Sequence, residues 1–282
     1  MTNIDITVII TTFKSEEKIN NCLKSIKNNV KVLVIENSNN QIFKKEIEAQ
    51  FSNVECILAN ENLGYGRGNN IGLRKVKTKY ALIINPDTIL EEDAISNFFE
   101  RVKNGLNFAI IGPILFQGKN IYKDTELKSP DLIKVDNVKG FAMFLNVEKI
   151  SNVGFFDENF FLYFEEIDLC RRLKKNNENI YLDPKIKIFH EGGKSVNKNF
   201  SNQIELNRNW HWMWSSFYYH KKHNSYLFSI LIMLPKLISA FIKFIFYSIK
   251  RSSNKKLIYK QRIGGLLNSI IGRKSWYRPS LD

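Results

Sequence analysis

Short hydrophobic runs alternate with helical patterns along the first ninety residues. Three runs, Ile6–Ile10, Val32–Ile35 and Ala81–Ile84, are rich in β-branched residues and almost continuously apolar, as is typical of strands buried on both faces of a parallel sheet. Between the first two, Ser15–Ile26 places apolar residues at helical spacing after a serine suited to the N-cap. This order predicts an α/β fold with right-handed crossovers, in which ligands sit beyond the carboxyl ends of the strands.

A carboxylate follows one of these strands directly, in the tripeptide Asn85-Pro86-Asp87. A carboxylate at the mouth of the sheet can approach the phosphates of a nucleotide diphosphate only through a divalent cation that it helps to hold. Asn, Pro and Asp are also common turn residues, so the alternative is a simple turn that ends the strand.

A glycine-rich segment, residues 60–70, precedes the helix-like stretch Asn70–Lys75. Its three glycines would let backbone amides approach a phosphate or ribose, and Arg67 would add a charge-assisted contact. The alternative is a flexible surface loop, since the spacing is not that of a dinucleotide-binding motif.

Three carboxylates, Glu165, Glu166 and Asp168, follow a run of aromatic residues at 160–164. Burial beside apolar rings raises the pKa of a carboxyl group and suits it to act as a general base near neutral pH. The alternative is a helix N-terminus whose acids interact with the helix dipole and with Arg171 and Arg172.

His190 follows the strand-like run Ile186–Phe189. A neutral imidazole at a strand end is a candidate metal ligand, and an ordinary surface histidine is the alternative.

The positive charge of the chain is concentrated in its last third. The 282 residues have a formal net charge of +14, and residues 201–282 carry +12 of it, with 14 lysines and arginines against Glu205 and Asp282. We therefore predict two regions, a first domain over residues 1–205 and a basic, aromatic and helical region over residues 206–282. Such a basic region attracts either nucleic acid or anionic lipid headgroups.

Leu227–Lys250 is long enough to cross a bilayer, but Ser229, Lys236, Lys243 and Lys250 recur every seven residues. A lysine stripe beside a broad aliphatic face favours a helix that lies in the membrane interface over a span or a core helix. Pro235 is expected to interrupt or start this helix. The aromatic residues at 210–219 suit either an interfacial belt or core packing against the first domain.

The three cysteines are widely spaced and form no metal-ligand pattern, which favours a reduced, cytosolic compartment. The polar N-terminus leads directly into a short β-branched run, so we interpret it as a first strand.

The order of these motifs resembles family 2 glycosyltransferases of the GT-A fold, particularly the rhamnosyltransferase-like branch. The resemblance covers residues 6–195 and rests on seven pieces in the family's order. These are residues 8–13, 36–38, 62–70, 85–88, 153–158 and 161–169, and His190 with Gly193 and Ser195.

The resemblance implies a GT-A catalytic domain with a Rossmann-like, mostly parallel central sheet and a membrane-associating helical C-terminal extension. It implies that Asp87 and His190 hold Mg²⁺ or Mn²⁺, and that Glu166 is the catalytic base, with Glu165 and Asp168 as alternatives. Thr11, Glu36 and Asn70 would line the nucleotide pocket. The other nucleotide-binding candidates from the same pieces are Thr12, Phe13, Asn37, Asn62, Gly64, Arg67 and Asn85.

Three positions depart from the usual family pattern. Asn85 replaces the first acid of the metal-binding motif, and Glu166 and Glu36 stand where aspartate is usual. The longer side chain leaves open which of the three clustered acids reaches the acceptor hydroxyl.

The expected activity is inverting transfer of a sugar, with rhamnose as one candidate, from a nucleotide diphosphate donor to a lipid-linked or oligosaccharide acceptor in cell-surface polysaccharide biosynthesis. The basic tail is expected to hold the enzyme peripherally on the cytoplasmic, anionic face of the inner or plasma membrane. A nucleotide-sugar-binding protein without transfer activity is the alternative. We do not expect nucleic acid as a partner, because the long aliphatic face of the tail favours lipid.

Overall fold

A ten-stranded sheet forms the centre of the chain. The computed structural model describes residues 5–117, 120–121, 131–190 and 201–278. The strands are β1 (Ile6–Thr12), β2 (Lys31–Glu36), β3 (Val54–Leu58), β4 (Tyr80–Ile84), β5 (Thr88–Leu90), β6 (Ile110–Gln117), β7 (Asn120–Ile121), β8 (Ile133–Lys134), β9 (Ala142–Asn146) and β10 (Ile180–His190).

Helices cover the sheet and form the C-terminal region. They are α1 (Glu16–Lys24), α2 (Gln41–Gln50), α3 (Gly64–Lys75), α4 (Ala94–Lys103), α5 (Val147–Val153), α6 (Glu165–Lys175), α7 (Ser201–His223), α8 (Tyr226–Ile249) and α9 (Ser253–Ile270).

The strand order is β3-β2-β1-β4-β9-β6-β10-β5. The four strands of the first part of the chain, β1 to β4, pair in parallel, as does β6 with β10. Strand β9 is antiparallel to both of its neighbours, and β5 is antiparallel to β10. The three predicted strands are confirmed, and every residue of β4 is buried, as expected for a strand covered on both faces. The predicted α/β class is therefore confirmed.

The N-terminus of α1 differs in detail from the expectation. Ser15 occupies the N-cap position, but its side chain makes no capping hydrogen bond to the helix. Its hydroxyl instead donates to the carbonyl of Phe13 at 3.1 Å, which holds the turn that follows β1.

The glycine-rich segment forms most of a helix. Helix α3 begins at Gly64, and Gly64, Gly66 and Gly68 are all buried. A Cβ on Gly68 would lie 2.6 Å from Cγ2 of Thr11, so these glycines let the helix approach the end of β1. The alternative of a flexible surface loop is therefore wrong for residues 64–70, because they pack as a helix on the sheet. Contact of these glycines with a phosphate or ribose stays a prediction.

The chain divides into two compact units. The first comprises residues 1–157 and 166–197, and the second comprises residues 158–165 and 198–282. The second unit thus begins before the predicted boundary at residue 205, and it also includes a short segment from the middle of the chain.

The second unit has its own apolar core. Met213, Phe217, Met233 and Leu266, from α7, α8 and α9, form a buried cluster. Most of the aromatic residues at 210–219 pack into this unit. Of the three tryptophans in this stretch, only Trp212 is exposed, at 43%. Most of these side chains therefore form part of the core of the second unit itself and not an exposed aromatic belt.

Helix α8 continues through Pro235 without a break. It is the one helix among the described residues that is long and apolar enough to cross a membrane. Its most apolar segment has a mean hydropathy of 1.9, and 17% of the residues in that segment are buried. Only Ser229, Met233 and Ala240 of α8 are fully buried. One broad side of this helix is therefore left without cover from the protein.

Candidate functional site

Pairing between β5 and β10 brings together two motifs that are a hundred residues apart in sequence. The antiparallel register places His190 opposite Thr88, the residue after Asp87. The turn between β4 and β5 is fixed by Thr88, whose N–H and hydroxyl both donate to the carbonyl of Asn85, at 3.2 and 2.7 Å. Residues 85–88 are thus a turn, as the alternative interpretation proposed, and the turn also carries a buried carboxylate.

Asp87 and His190 form a close pair at the end of the sheet. His190 Nε2 lies 3.2 Å from Asp87 Oδ1, with 0% of the Asp87 side chain and 15% of the His190 side chain exposed. Asn85 Nδ2 lies 3.5 Å from the same ring nitrogen. The three residues predicted at the metal end of the site are therefore brought together.

The Asp87 carboxylate has no hydrogen-bond donor among the described residues, and both of its oxygens are buried. Burying a carboxylate that accepts no hydrogen bond is costly unless a cation compensates the charge. A carboxylate and an imidazole are ligands suited to a divalent cation, and Mg²⁺ commonly completes its shell with substrate phosphates and water. Although the described residues contain no cluster of three or more His, Cys, Asp or Glu side chains, this pair fits a cation whose remaining ligands come from the substrate.

Phe141 fixes the orientation of the imidazole ring. Its ring stacks on His190 with centroids 5.1 Å apart and an interplanar angle of 12°. Phe141 also accepts the N–H of Asn85 through its carbonyl, at 2.9 Å. Sequence inspection missed this residue, because its position depends on the pairing of β4 with β9.

Glu166 lies in the first turn of α6. Burial raises the pKa of its carboxyl group above the ordinary value, and backbone N–H groups of Glu166 and Ile167 offset part of this effect. A carboxyl group with a raised pKa is suited to accept a proton near neutral pH. That Glu166 shares one cavity with Asp87 and His190 stays a prediction.

Asp168 has a structural partner. Its buried carboxylate accepts a hydrogen bond from Arg172 Nε at 2.8 Å. The same guanidinium donates to the carbonyls of Val153, Gly154 and Phe155, at 2.8, 2.5 and 2.5 Å. Asp168 thus positions Arg172, whose guanidinium stabilises the turn after α5. For this one acid, the structure favours the interpretation as an ion-paired acid near a helix N-terminus.

The aromatic residues before α6 belong to the second unit and pack against α7. Trp212 contacts the rings of Tyr163 and Phe164, with centroids 5.3 and 5.4 Å apart. Tyr163 and Phe164 both have left-handed backbone conformations, with φ of 70° and 71°. Two successive non-glycine residues in this region store strain of order 1–3 kcal/mol each. Glu165, which follows them, is buried.

Several of the predicted nucleotide-pocket side chains make internal hydrogen bonds. The Glu36 carboxylate accepts from the N–H of Ser38 at 2.8 Å, from the N–H of Asn40 at 2.7 Å and from the Ser38 hydroxyl. Asn70 exchanges two hydrogen bonds with the backbone of Phe156, at 2.9 and 3.0 Å. Both side chains are therefore held in place by hydrogen bonds to the backbone near the ends of the strands.

The remaining candidates lie at the ends of β1 and β2 and at the start of α3. Thr11 donates to Asn69 Oδ1 at 2.9 Å, Asn37 Nδ2 donates to the carbonyl of Gly64 at 3.2 Å, and Asn62 Oδ1 accepts from the N–H of Gly64 at 3.1 Å. Buried polar atoms without a hydrogen-bond partner, among the residues described here, include Thr12 Oγ1 and Asn37 Oδ1. Phe13 and Arg67 are half-buried. Gly193 and Ser195 lie outside the described residues.

Comparison with known proteins identifies relatives of this chain. It is 26% identical over 198 residues to a low-salt glycan biosynthesis hexosyltransferase of Haloferax volcanii, which covers 62% of this chain and 64% of that protein. It is 24% identical over 191 residues to the rhamnosyltransferase WbbL of Escherichia coli, which covers 56% of this chain and 72% of that protein. The predicted resemblance to rhamnosyltransferase-like proteins is confirmed.

A solved structure with the same fold is the mannosyltransferase PcManGT from Pyrobaculum calidifontis, in complex with GDP-Man and Mn²⁺. It has 11% sequence identity and a TM-score of 0.57, covering 94% of this chain and 87% of that one. The predicted GT-A fold is confirmed. The family model described as glycosyl transferase family 2 matches residues 7–172, which is more than half of the chain. By the extent of that match, together with the fold, this protein belongs to glycosyl transferase family 2.

Proposed function

We propose that this protein transfers a sugar from a nucleotide diphosphate to a hydroxyl group of a lipid-linked or oligosaccharide acceptor, with inversion at the anomeric carbon. The observation that carries the proposal is the buried pair of Asp87 and His190 at the end of the sheet, where the carboxylate lacks any hydrogen-bond donor among the described residues. Ligands in open α/β sheets bind at this end.

Asp87 and His190 would hold a divalent cation, Mg²⁺ or Mn²⁺, against the diphosphate of the donor. When bound, the cation supplies positive charge that stabilises the departing diphosphate. Asn85 and Phe141 orient the imidazole so that Nε2 faces the carboxylate. The mannosyltransferase with the same fold was solved with Mn²⁺, which supports use of a divalent cation.

Glu166 is the proposed base. Its carboxylate takes the proton from the acceptor hydroxyl while that oxygen forms a bond to C1 of the sugar. The bond from C1 to the diphosphate oxygen breaks in the same step, and the nucleoside diphosphate leaves with the electron pair. Because attack and departure occur on opposite faces, a single displacement inverts the configuration. The engagement of Asp168 with Arg172 supports Glu166 over Asp168 in this role.

Rhamnose is the donor sugar suggested by similarity to the rhamnosyltransferase. A lipid-linked acceptor is suggested by the exposed apolar side of α8, on which Leu227, Ile245 and Ile249 are 68%, 55% and 78% exposed. A helix of this kind, beside lysines, suits peripheral binding to an anionic membrane. We propose that the protein works on the cytoplasmic face.

The test is transfer from a panel of nucleotide sugars, measured as nucleoside diphosphate release, with Mn²⁺, with Mg²⁺ and with a chelator. Asp87→Asn is expected to lower the rate by about 100-fold or more, since it removes the charge that holds the cation. Asp93→Asn is the matched control, because Asp93 is exposed and makes no side-chain capping bond at α4.

Full transfer activity of Asp87→Asn in the presence of a chelator would contradict the metal role. Glu166→Gln separates the enzyme from a protein that only binds the donor. Loss of turnover by about 100-fold or more with donor affinity retained supports the base, whereas unchanged turnover refutes it.

A further inference from the structure

A cavity of about 250 Å³ lies between α8 and α9 and is lined by three cationic side chains. Lys236 and Lys243 come from α8 and Arg262 comes from α9. Lys243 Nζ lies 5.5 Å from the centre of the Tyr259 ring, and the Arg262 guanidinium carbon lies 5.9 Å from the same centre. Two cationic side chains therefore lie close to the same tyrosine ring.

The helices that carry these charges supply no acidic side chain to balance them. Neither α8 nor α9 contains an acidic residue, and Glu205 in α7 is the only carboxylate side chain between residues 201 and 278. Arg262 Nε is buried and lacks a hydrogen-bond partner among the residues described. One terminal nitrogen of the same guanidinium lies 4.0 Å from Met213 Sδ, a weak acceptor. Lys236 and Lys243 are exposed to solvent, and an anion from outside the chain would supply the counter-charge that the surrounding helices lack.

An apolar groove of about 440 Å³ adjoins the cavity along the outer side of α8. Its walls include Leu231, Leu234, Ile238 and Ile242, which are 63%, 45%, 51% and 61% exposed. The groove and the cavity share Pro235, Ser239 and Lys243 as lining residues, so they form one continuous surface. Lys243 lines both parts, and its ammonium group lies on the side of the Tyr259 ring.

We propose that this surface is a binding site for one anionic phospholipid. The phosphate lies among Lys236, Lys243 and Arg262, with the Ser239 hydroxyl as a further donor, and an acyl chain lies along the groove. A free phosphate would use only the cavity, and a neutral apolar chain would use only the groove. The two parts together fit a molecule in which a phosphate is joined to a hydrocarbon chain. The inference does not depend on sugar transfer.

The experiment uses the full chain and a short-chain phosphatidylglycerol below its micellar concentration, titrated in a calorimeter without any sugar nucleotide. Inorganic phosphate and phosphatidylcholine of the same chain length are the comparison probes. We expect saturable binding of one phosphatidylglycerol, and weaker binding of either comparison probe by about tenfold or more.

The variant pair Lys243→Gln with Arg262→Gln is expected to weaken phosphatidylglycerol binding by about tenfold or more. The matched pair Lys255→Gln with Lys260→Gln removes the same charge from exposed positions of α9 outside the cavity. This control should change the affinity by no more than about twofold at physiological salt.

Ile238→Ser tests the groove separately from the cationic cavity, with Ile249→Ser as its control, since Ile249 is 78% exposed and outside the groove. Equal weakening by the cavity pair and its control would overturn the site in favour of diffuse charge attraction. Equal binding of inorganic phosphate and phosphatidylglycerol, or tighter binding of a DNA duplex than of either, would also overturn it.

Discussion

His211 is expected to make the second unit sensitive to mild acid. The ring is fully buried in α7. Its Nε2–H donates to the carbonyl of Tyr277 at 2.9 Å, and its Nδ1 accepts from the hydroxyl of Ser275 at 3.0 Å. This arrangement matches the neutral imidazole, and burial lowers the pKa of His211 from 6.5 to about 3. Protonation would force the Ser275 hydroxyl to turn and accept from Nδ1–H, and would place a buried positive charge beside Arg278. The Arg278 guanidinium lies 3.4 Å from the centre of the Phe161 ring.

The direction of the effect follows from proton binding. Below pH 6.5 the unfolded chain protonates this histidine while the folded unit does not, so stability falls as the pH decreases towards 3. The unfolded state gains about 1.4 kcal/mol for each pH unit in this range. Between pH 7 and pH 5 the folded unit should therefore lose about 2 kcal/mol through this one group.

Hydrogen exchange of amides in α7 and α9, together with urea unfolding, would measure this change at pH 7 and pH 5. His211→Gln is the informative variant, because an amide can donate to Tyr277 and accept from Ser275 but does not titrate. His223→Gln, in the last turn of α7, controls for an ordinary histidine. The reasoning is refuted if wild type and His211→Gln lose the same free energy over this pH range.

Three further predictions concern the packing of α9 and the acids of α6. Gly265→Ala should destabilise the second unit by about 3 kcal/mol in urea unfolding, because the new Cβ would lie 2.1 Å from a backbone oxygen of α7. Gly264→Ala, whose Cβ would meet only a side chain at 3.6 Å, should be neutral or stabilising by up to about 1 kcal/mol; equal losses would contradict this packing. Asp168→Asn should lower the stability of the first unit by about 3 kcal/mol, because Arg172 would lose its buried counter-charge; unchanged denaturation would refute this role of Asp168. For Glu166, kcat/KM should fall as the pH decreases through its raised pKa, because the protonated carboxyl cannot act as a base. A pH profile of kcat/KM that falls only at the ordinary pKa of a glutamate would contradict the burial of this group.

The sequence predicted the sheet well where the pattern was local. The runs that form β1, β2 and β4 are continuous and β-branched, so their burial on both faces follows from composition alone. Strands β5 and β9 were not predicted. β5 has three residues and β9 pairs antiparallel inside an otherwise parallel neighbourhood, and neither short length nor pairing direction is encoded in a hydrophobic run.

The family resemblance left the roles of polar side chains at the strand ends less well defined. It predicted that Glu36 and Asn70 line the nucleotide pocket. Their side chains hydrogen-bond to Ser38, Asn40 and Phe156, and their contact with a nucleotide stays a prediction. A glutamate at the end of a strand can bind a ligand or hold its own turn, and its spacing from the strand is identical in both cases. The choice depends on where backbone N–H groups of the following turn point, which only the folded chain determines.

Two of the three acids of α6 illustrate the same limit. Glu166 and Asp168 are two residues apart, so they project about 200° apart around the helix axis. Asp168 is four residues before Arg172 and pairs with it along one face. Glu166 therefore points to a different face, where burial raises its pKa instead of an arginine compensating its charge. A carboxylate without a cationic partner is easier to protonate than one that is ion-paired, and a base must accept a proton to act. The helical period thus separates Asp168, which pairs with Arg172, from Glu166, and the choice of Glu166 over the buried Glu165 as the base stays a prediction.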